Sequence, residues 1–375
     1  MSQFFIGAMS GTSLDGLDLA LCDFQQSDIV THSHFLPFPQ TLKSALFELS
    51  HLETINIAQL FQTENFYSQF CADTINVWLR SLNIPASNIS ALGIHGQTIR
   101  HHPELTPGFT AQLGNWGQIA AQTGITTVGD FRRKDIALQG QGAPLVPPFH
   151  NAFFQSDDKH RVILNIGGIS NISILTPKTV CPNANPVGYD TGPGNALLDY
   201  WYSQHNSGEF DNNGHWAKQG TVIPELLSQC LQTAYFQDSP PKSTGRELFN
   251  PNWLTHQLNA LKQSHSFSAQ DIQTTLVELT ATSICKEIES TAPNTQEVYV
   301  CGGGWKNSYL ITRIRQLIGS QVYVGSTSDL GIQPDWIEAC AFAWFAQETL
   351  AKRNIQQATT TGATRNALLG GIYYP

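Results

Sequence analysis

Six short segments gather residues that could do chemistry. The first, Met9-Ser10-Gly11-Thr12-Ser13-Leu14-Asp15-Gly16, sets two glycines, two hydroxyls and a carboxylate in one turn, with Asp18 just beyond. Gly11 and Gly16 permit backbone geometry closed to other residues and would let backbone N–H groups face a ligand. Thr12 and Ser13 would donate to phosphate oxygens, and Asp15 and Asp18 would hold magnesium directly or through water. A β-hairpin with a polar tip accounts for the same residues equally well. No Walker-type glycine–lysine loop occurs in the chain. A second turn, Asn165-Ile166-Gly167-Gly168-Ile169-Ser170-Asn171, is a weak phosphate signal alone. Paired with the first turn it makes a two-sided phosphate clamp.

Gly188-Tyr189-Asp190-Thr191-Gly192-Pro193-Gly194-Asn195 offers a carboxylate on a turn stiffened by glycine and proline. Phosphoryl transfer uses such a group to take a proton from the nucleophile. The plainer alternative is that Asp190 caps the helix starting near Asn195. His95, Gln97 and Thr98 end an apolar strand with three polar side chains suited to sugar hydroxyls. Asp130-Phe131-Arg132-Arg133-Lys134-Asp135 is either a paired surface patch or an arginine placed to grip a substrate carboxylate in two parallel bonds. Gly302-Gly303-Gly304 follows a strand, but Trp305-Lys306-Asn307 breaks the dinucleotide fingerprint. It remains suited to close approach of a nucleotide at a helix start.

The elements that must carry these residues repeat a grammar. Residues 4–8, a turn, then alternating Leu17, Leu19 and Leu21 predict a strand–turn–strand. The pattern returns at 161–166, Gly167-Gly168 and 172–175. Two such hairpins suggest two related halves. Helical spacing covers 40–79 and 308–317. Pro334-Asp335 opens a further helix whose apolar residues run nearly all round, so it should be buried. The proline- and glycine-rich stretch 128–148 is a candidate wall or hinge.

Composition limits the partners. The chain of 375 residues has room for two cores. A net charge of −9, with no Lys/Arg run longer than Arg132-Arg133-Lys134, argues against a nucleic-acid surface. The 7 cysteines lack a C-x-x-C pair and should be buried thiols of a reducing compartment. No signal peptide or membrane span is legible, so the protein is expected in the cytoplasm.

In this order, over the whole chain, the segments resemble the anhydro-N-acetylmuramic acid kinases. The match includes 9–16, 93–98, 130–132, 142–147, 165–168, 188–195, Lys242-Ser243-Thr244-Gly245-Arg246-Glu247, 301–304 and Ile337-Glu338-Ala339. The resemblance implies an α/β, two-domain actin/hexokinase-like (ribonuclease H-like) fold with an interdomain cleft, acting as a homodimer with ATP and Mg²⁺. Residues 1–130, completed by about 350–375, would form one domain and 131–349 the other. The reaction implied joins 1,6-anhydro-N-acetylmuramic acid, ATP and water to give N-acetylmuramic acid 6-phosphate and ADP, in peptidoglycan recycling.

By the same resemblance Gly11, Thr12, Ser13, Asp15, Gly16 and Asp18, with Gly167, Gly168, Gly302 and Gly303, bind nucleotide. Asp190 is the general base and Glu338 a second acid. Arg132 meets the lactyl carboxylate, alongside His95, Gln97 and Thr98. A kinase of an ordinary hexose or amino sugar and an actin-like ATPase switch are the competing readings. Two positions depart from expectation: Gln139 stands where a glycine is expected, and Trp305 is bulky beside the triple glycine.

Overall fold

The structure, a computed structural model, describes residues 3–182, 184–245, 247–261 and 267–375. It divides into two units, Met1–Phe149 with Trp336–Pro375, and His150–Asp335.

The first unit opens with β1 (Phe4–Ser10), β2 (Gly16–Cys22) and β3 (Val30–Pro37), an antiparallel meander. Leu17, Leu19 and Leu21 are all fully buried, as their alternation predicts. The helical stretch that follows is two helices, α1 (Gln40–His51) and α2 (Ile57–Ser81). Asn56 starts the second by accepting from the N–H groups of Ala58 and Gln59. Next come β4 (Ile89–His102), β5 (Phe109–Leu113), α3 (Trp116–Thr123), β6 (Thr127–Gly129) and α4 (Arg133–Ala137). The unit boundary falls inside α5 (Pro147–Phe154).

The second unit repeats the meander as β7 (Arg161–Ile166), β8 (Ile169–Leu175) and β9 (Val187–Pro193). It continues through α6 (Ala196–His205), α7 (Pro224–Leu231), α8 (Pro251–Leu261), α9 (Ala269–Thr291), β10 (Glu297–Cys301), α10 (Ser308–Ile318) and β11 (Tyr323–Ser326). The chain then returns to the first unit as α11 (Ile337–Leu350), α12 (Ala358–Thr361) and β12 (Gly371–Tyr373).

The first sheet runs β12-β6-β4-β1-β2-β3, with β5 also paired to β4, and the second runs β11-β10-β7-β8-β9. In each, two parallel strands lie beside the first strand of the meander. This duplicated order makes the chain a mixed α/β protein of the actin/hexokinase type.

Helix α11 packs on β1, β2 and β4, so it belongs with the first unit, whereas the sequence reading placed 131–349 in the second. The reason is a floor of bare backbone. Gly7 and Gly93 are register partners on adjacent strands. A Cβ at Gly7 would lie 2.6 Å from the Ala339 carbonyl carbon, and one at Gly93 2.7 Å from that of Phe342. The helix is buried along its length, as its composition predicts.

In the second unit the long, buried α9 packs against α10, α7, α6 and β9. Six cysteines are buried free thiols, but Cys181 is exposed, contrary to the expectation for all seven. Among the described residues no helix is long and apolar enough to cross a membrane.

Candidate active site

The first turn joins β1 to β2, and its positive φ falls on Leu14 (59°), not on either glycine as expected. Leu14 is driven by burial: at 4% exposure its side chain plugs the core below the turn. That leaves Thr12, Ser13 and Asp15 facing out. Gly11 has open space where a Cβ would be, its nearest neighbour being Ser13 Oγ at 3.7 Å. Gly16 serves packing instead, since a Cβ there would meet Phe35 at 2.7 Å. Asp15 pairs loosely with Lys43 at 3.7 Å, and Asp18 sits on β2 opposite Met9 and Phe35.

Strand β4 runs on past Gly96, where the sequence reading ended it; Gly96 itself takes φ 82°. The Gln97 amide is wholly buried and donates to the Gly11 carbonyl at 3.1 Å. Gln97 therefore braces the turn from beneath. Ser10 Oγ adds a bond to the Gly96 carbonyl at 3.3 Å. Thr98 is half-buried and accepts from Gln112 at 3.2 Å.

A second group forms around Arg132. Its Nε donates to His95 Nε2 at 2.8 Å and its Nη1 to the Gly142 carbonyl at 2.6 Å. Burial, then the Arg132 charge, push the His95 pKa well below its usual range, so the ring is neutral and accepts at Nε2. His101 is pushed down to about 4 for the same two reasons. Glu338, half-buried on α11, is held above the usual carboxylate range by desolvation, with Arg132 pulling the other way. Phe342, one turn further along α11, lies against the His95 ring at 4.9 Å. His95, Arg132 and Glu338 thus converge from β4, the start of α4 and α11.

The 130–135 segment splits its duties. Arg133 pairs with Asp130 at 3.5 Å on the surface. Asp135 is buried and accepts from the Gly142 N–H at 2.7 Å and Thr361 Oγ1 at 2.8 Å. Gln139 takes φ 67°, the left-handed backbone that its place in a glycine position implied.

In the second unit, Gly167 and Gly168 cap the β7–β8 hairpin. Their carbonyls accept from the N–H groups of Asn195 (2.8 Å), Gly194 (3.0 Å) and Ala196 (3.1 Å). Gly302, at φ 77°, rests on this hairpin: a Cβ would lie 2.8 Å from the Ile166 carbonyl oxygen. Gly303 keeps open space, with Asn195 Nδ2 its nearest neighbour at 3.9 Å. The three glycine-bearing segments of this unit therefore share one corner with Asn195. Trp305 packs on the second core, under the Arg315 guanidinium at 6.0 Å.

Asp190 lies within β9, not on the turn inferred from its glycines and proline. Asn195 occupies the cap position of α6, so Asp190 does not cap that helix. Its carboxylate accepts from the Thr244 N–H at 3.0 Å. Its own N–H donates to the Lys242 carbonyl at 3.2 Å, and Tyr235 Oη donates to its carbonyl at 2.6 Å. Tyr235 and Glu287 were not singled out from sequence, and Lys242 and Thr244 only as part of a motif without a role. That motif was their one signal; Arg246 within it lies outside the described residues.

Comparison with known proteins bears on what these groups serve. The family described as anhydro-N-acetylmuramic acid kinase matches residues 3–375. The chain belongs to this family. The family is one of sugar kinases. Relatives carrying that name include one from Shewanella denitrificans, 44% identical over 373 residues, covering 99% of this chain and 98% of its own. One from Coxiella burnetii is 43% identical over 370 residues, covering 99% and 97%. One from Pasteurella multocida is 43% identical over 376 residues, with the same coverage. Among solved structures, component A of (R)-2-hydroxyglutaryl-CoA dehydratase from Acidaminococcus fermentans superposes with a TM-score of 0.46 at 10% identity, covering 93% of this chain and all of that one (100%). That likeness is too weak to argue from.

Proposed function

We propose that this chain opens 1,6-anhydro-N-acetylmuramic acid with water and transfers the γ-phosphoryl group of ATP to O6. The products are N-acetylmuramic acid 6-phosphate and ADP, and the role is peptidoglycan recycling in the cytoplasm. The observation that carries this reading is the family match along essentially the whole chain. A strand-borne aspartate held by two backbone partners and a tyrosine hydroxyl supports it.

Chemistry limits the roles. O6 of the anhydrosugar carries no proton, so no base is needed on the oxygen that receives phosphate. The proton comes from water as its oxygen bonds to the anomeric carbon. Asp190 takes that proton, and Glu338 is the second acid of the step. The bond from the anomeric carbon to O6 breaks as O6 bonds to the γ-phosphorus and ADP leaves. The electrophile thus replaces the general acid of an inverting glycosidase.

Arg132 meets the lactyl carboxylate, with two of its nitrogens already fixed by His95 and the Gly142 carbonyl. His95 and Thr98 complete the sugar-binding set, and Gln97 contributes by holding Gly11. Thr12, Ser13 and the backbone of Gly11 take phosphate, as do Gly167, Gly168, Gly302 and Gly303, while Gly16 shapes the turn by packing on Phe35. Magnesium beside phosphates needs only one or two protein carboxylates. Asp15, exposed at 61%, and Asp18 fit that need. When bound, the ion would offset charge on the transferring group. A homodimer is part of the same proposal, and sedimentation velocity tests it.

Turnover in ¹⁸O-water, read by mass spectrometry, tests the reaction. Label at the anomeric hydroxyl of the phosphorylated product is expected; unlabelled product would sink the coupled hydrolysis. Asp190→Asn should cost about 10²–10⁴-fold in rate. Retention of more than about a tenth of the wild-type rate would remove Asp190 as the base.

A further inference from the structure

Asp190 is held by residues that belong to a single buried frame. Tyr235 takes its carbonyl, and the 242–244 segment takes both its N–H and its carboxylate. That segment has no helix or strand of its own. Its anchor is the Lys242 side chain, only 5% exposed, which donates to Glu287 Oε1 at 2.7 Å. The same ammonium donates to the Tyr235 carbonyl at 3.3 Å and lies 4.9 Å from the Tyr235 ring centroid. Glu287 stands on α9, and one turn later Thr291 on the same helix bonds the hydroxyl of Tyr189, the residue before Asp190, at 2.6 Å.

A buried ion pair is a poor device for stability alone, since desolvation offsets much of the attraction. Two apolar side chains of similar length would serve a core as well. What they would not do is fix both the Tyr235 backbone and the 242–244 loop at one point. We propose that Tyr235, Lys242 and Glu287 form a positioning unit that holds Asp190 and aims the Thr244 N–H at its carboxylate. The inference rests on Asp190 being the general base.

The test uses the full-length protein, 1,6-anhydro-N-acetylmuramic acid and ATP, with steady-state kinetics and thermal unfolding. Tyr235→Phe removes only the hydroxyl that reaches Asp190. The double variant Lys242→Met with Glu287→Met replaces the ion pair by apolar chains, leaving no unpaired buried charge. Each should fold and lose about 10-fold or more in kcat, because a small misplacement of a reacting group is costly. KM for both substrates should stay within about 2-fold, the signature of an interaction that matters only in the transition state.

Both changes are repeated in Asp190→Asn, with residual turnover followed by radiolabelled ATP. There they should cost nothing further, since residues acting through one group are not additive. Wild-type kcat in the folded variants, or an equal loss with and without Asp190, overturns the positioning role. If Asp190→Asn itself keeps wild-type turnover, the base assignment falls first. Inactive Asp190→Asn beside fully active Tyr235→Phe and pair variants defeats the positioning role alone.

Discussion

Gly93→Ala tests how α11 places Glu338. Gly93 and Gly7 are paired on β4 and β1, and the backbone of α11 rests on them. A Cβ at Gly93 would sit 2.7 Å from the Phe342 carbonyl carbon and 3.1 Å from Ala346 Cβ. Carbon atoms are comfortable at about 3.5–4.0 Å, so the helix must withdraw by about 1 Å. Overpacking of this kind costs roughly 1–3 kcal/mol. In a unit of this size that is a fall of about 2–12 °C in unfolding temperature. The same shift moves Glu338 and the Phe342 ring that backs His95. Misplacement by about 1 Å costs on the order of 10²-fold in turnover. Differential scanning calorimetry and kinetics of Gly93→Ala read both effects. Gly117→Ala is the control: on α3 its Cβ would find Asn115 Oδ1 no nearer than 3.7 Å, and it should stabilise by about 0.5–1 kcal/mol. Wild-type melting and turnover for Gly93→Ala would refute the reasoning.

Three further outcomes are expected. At Gln139, φ 67° favours glycine over any residue with a Cβ, so Gln139→Gly should exceed Gln139→Ala by about 1 kcal/mol in chemical denaturation; the reverse order would show the backbone unstrained. His101 has its folded pKa pushed to about 4, below its unfolded value of 6.5, so the unfolded chain binds more protons between them. Its contribution to stability is full above pH 6.5 and is lost as pH falls through 4. His101→Asn should reduce the slope of stability against pH in that window by up to about 1.4 kcal/mol per pH unit, and an unchanged slope would contradict it. Glu338→Gln should lower kcat by about 10²-fold and abolish an acid limb lying above the ordinary carboxylate range, the direction in which burial moves Glu338; an intact limb would assign it to another group.

Local pattern made much of this protein legible. The alternation of Leu17, Leu19 and Leu21, and the glycine turn at 167–168 between two β-rich runs, depend on neighbours within a few residues, and both hairpins formed where they were read. Helices 40–79 and 308–317 were legible for the same reason, although Asn56 divided the first. Helix α9 was not read, because threonines, glutamates and Gln273 are buried among its apolar residues. Thr274 and Thr275 satisfy their hydroxyls on carbonyls one turn back, so polarity there gives no sign of exposure.

The turn between β1 and β2 shows where pattern stops. Its membership was readable, but its glycines were given the unusual backbone that burial forces on Leu14. Asp190 was named on its own neighbours, yet what holds it comes from Tyr235, Lys242 and Thr244, 45–54 residues away in the chain. Arg132 was named for its charge; that 37 residues of separation close to give a 2.8 Å bond to a neutral His95 was not in the sequence. Residue type and spacing determine which groups can do chemistry, because they act through local backbone geometry and periodicity. Their orientation, protonation and partners were decided by strand pairing and helix burial, which bring distant segments together only when the chain folds.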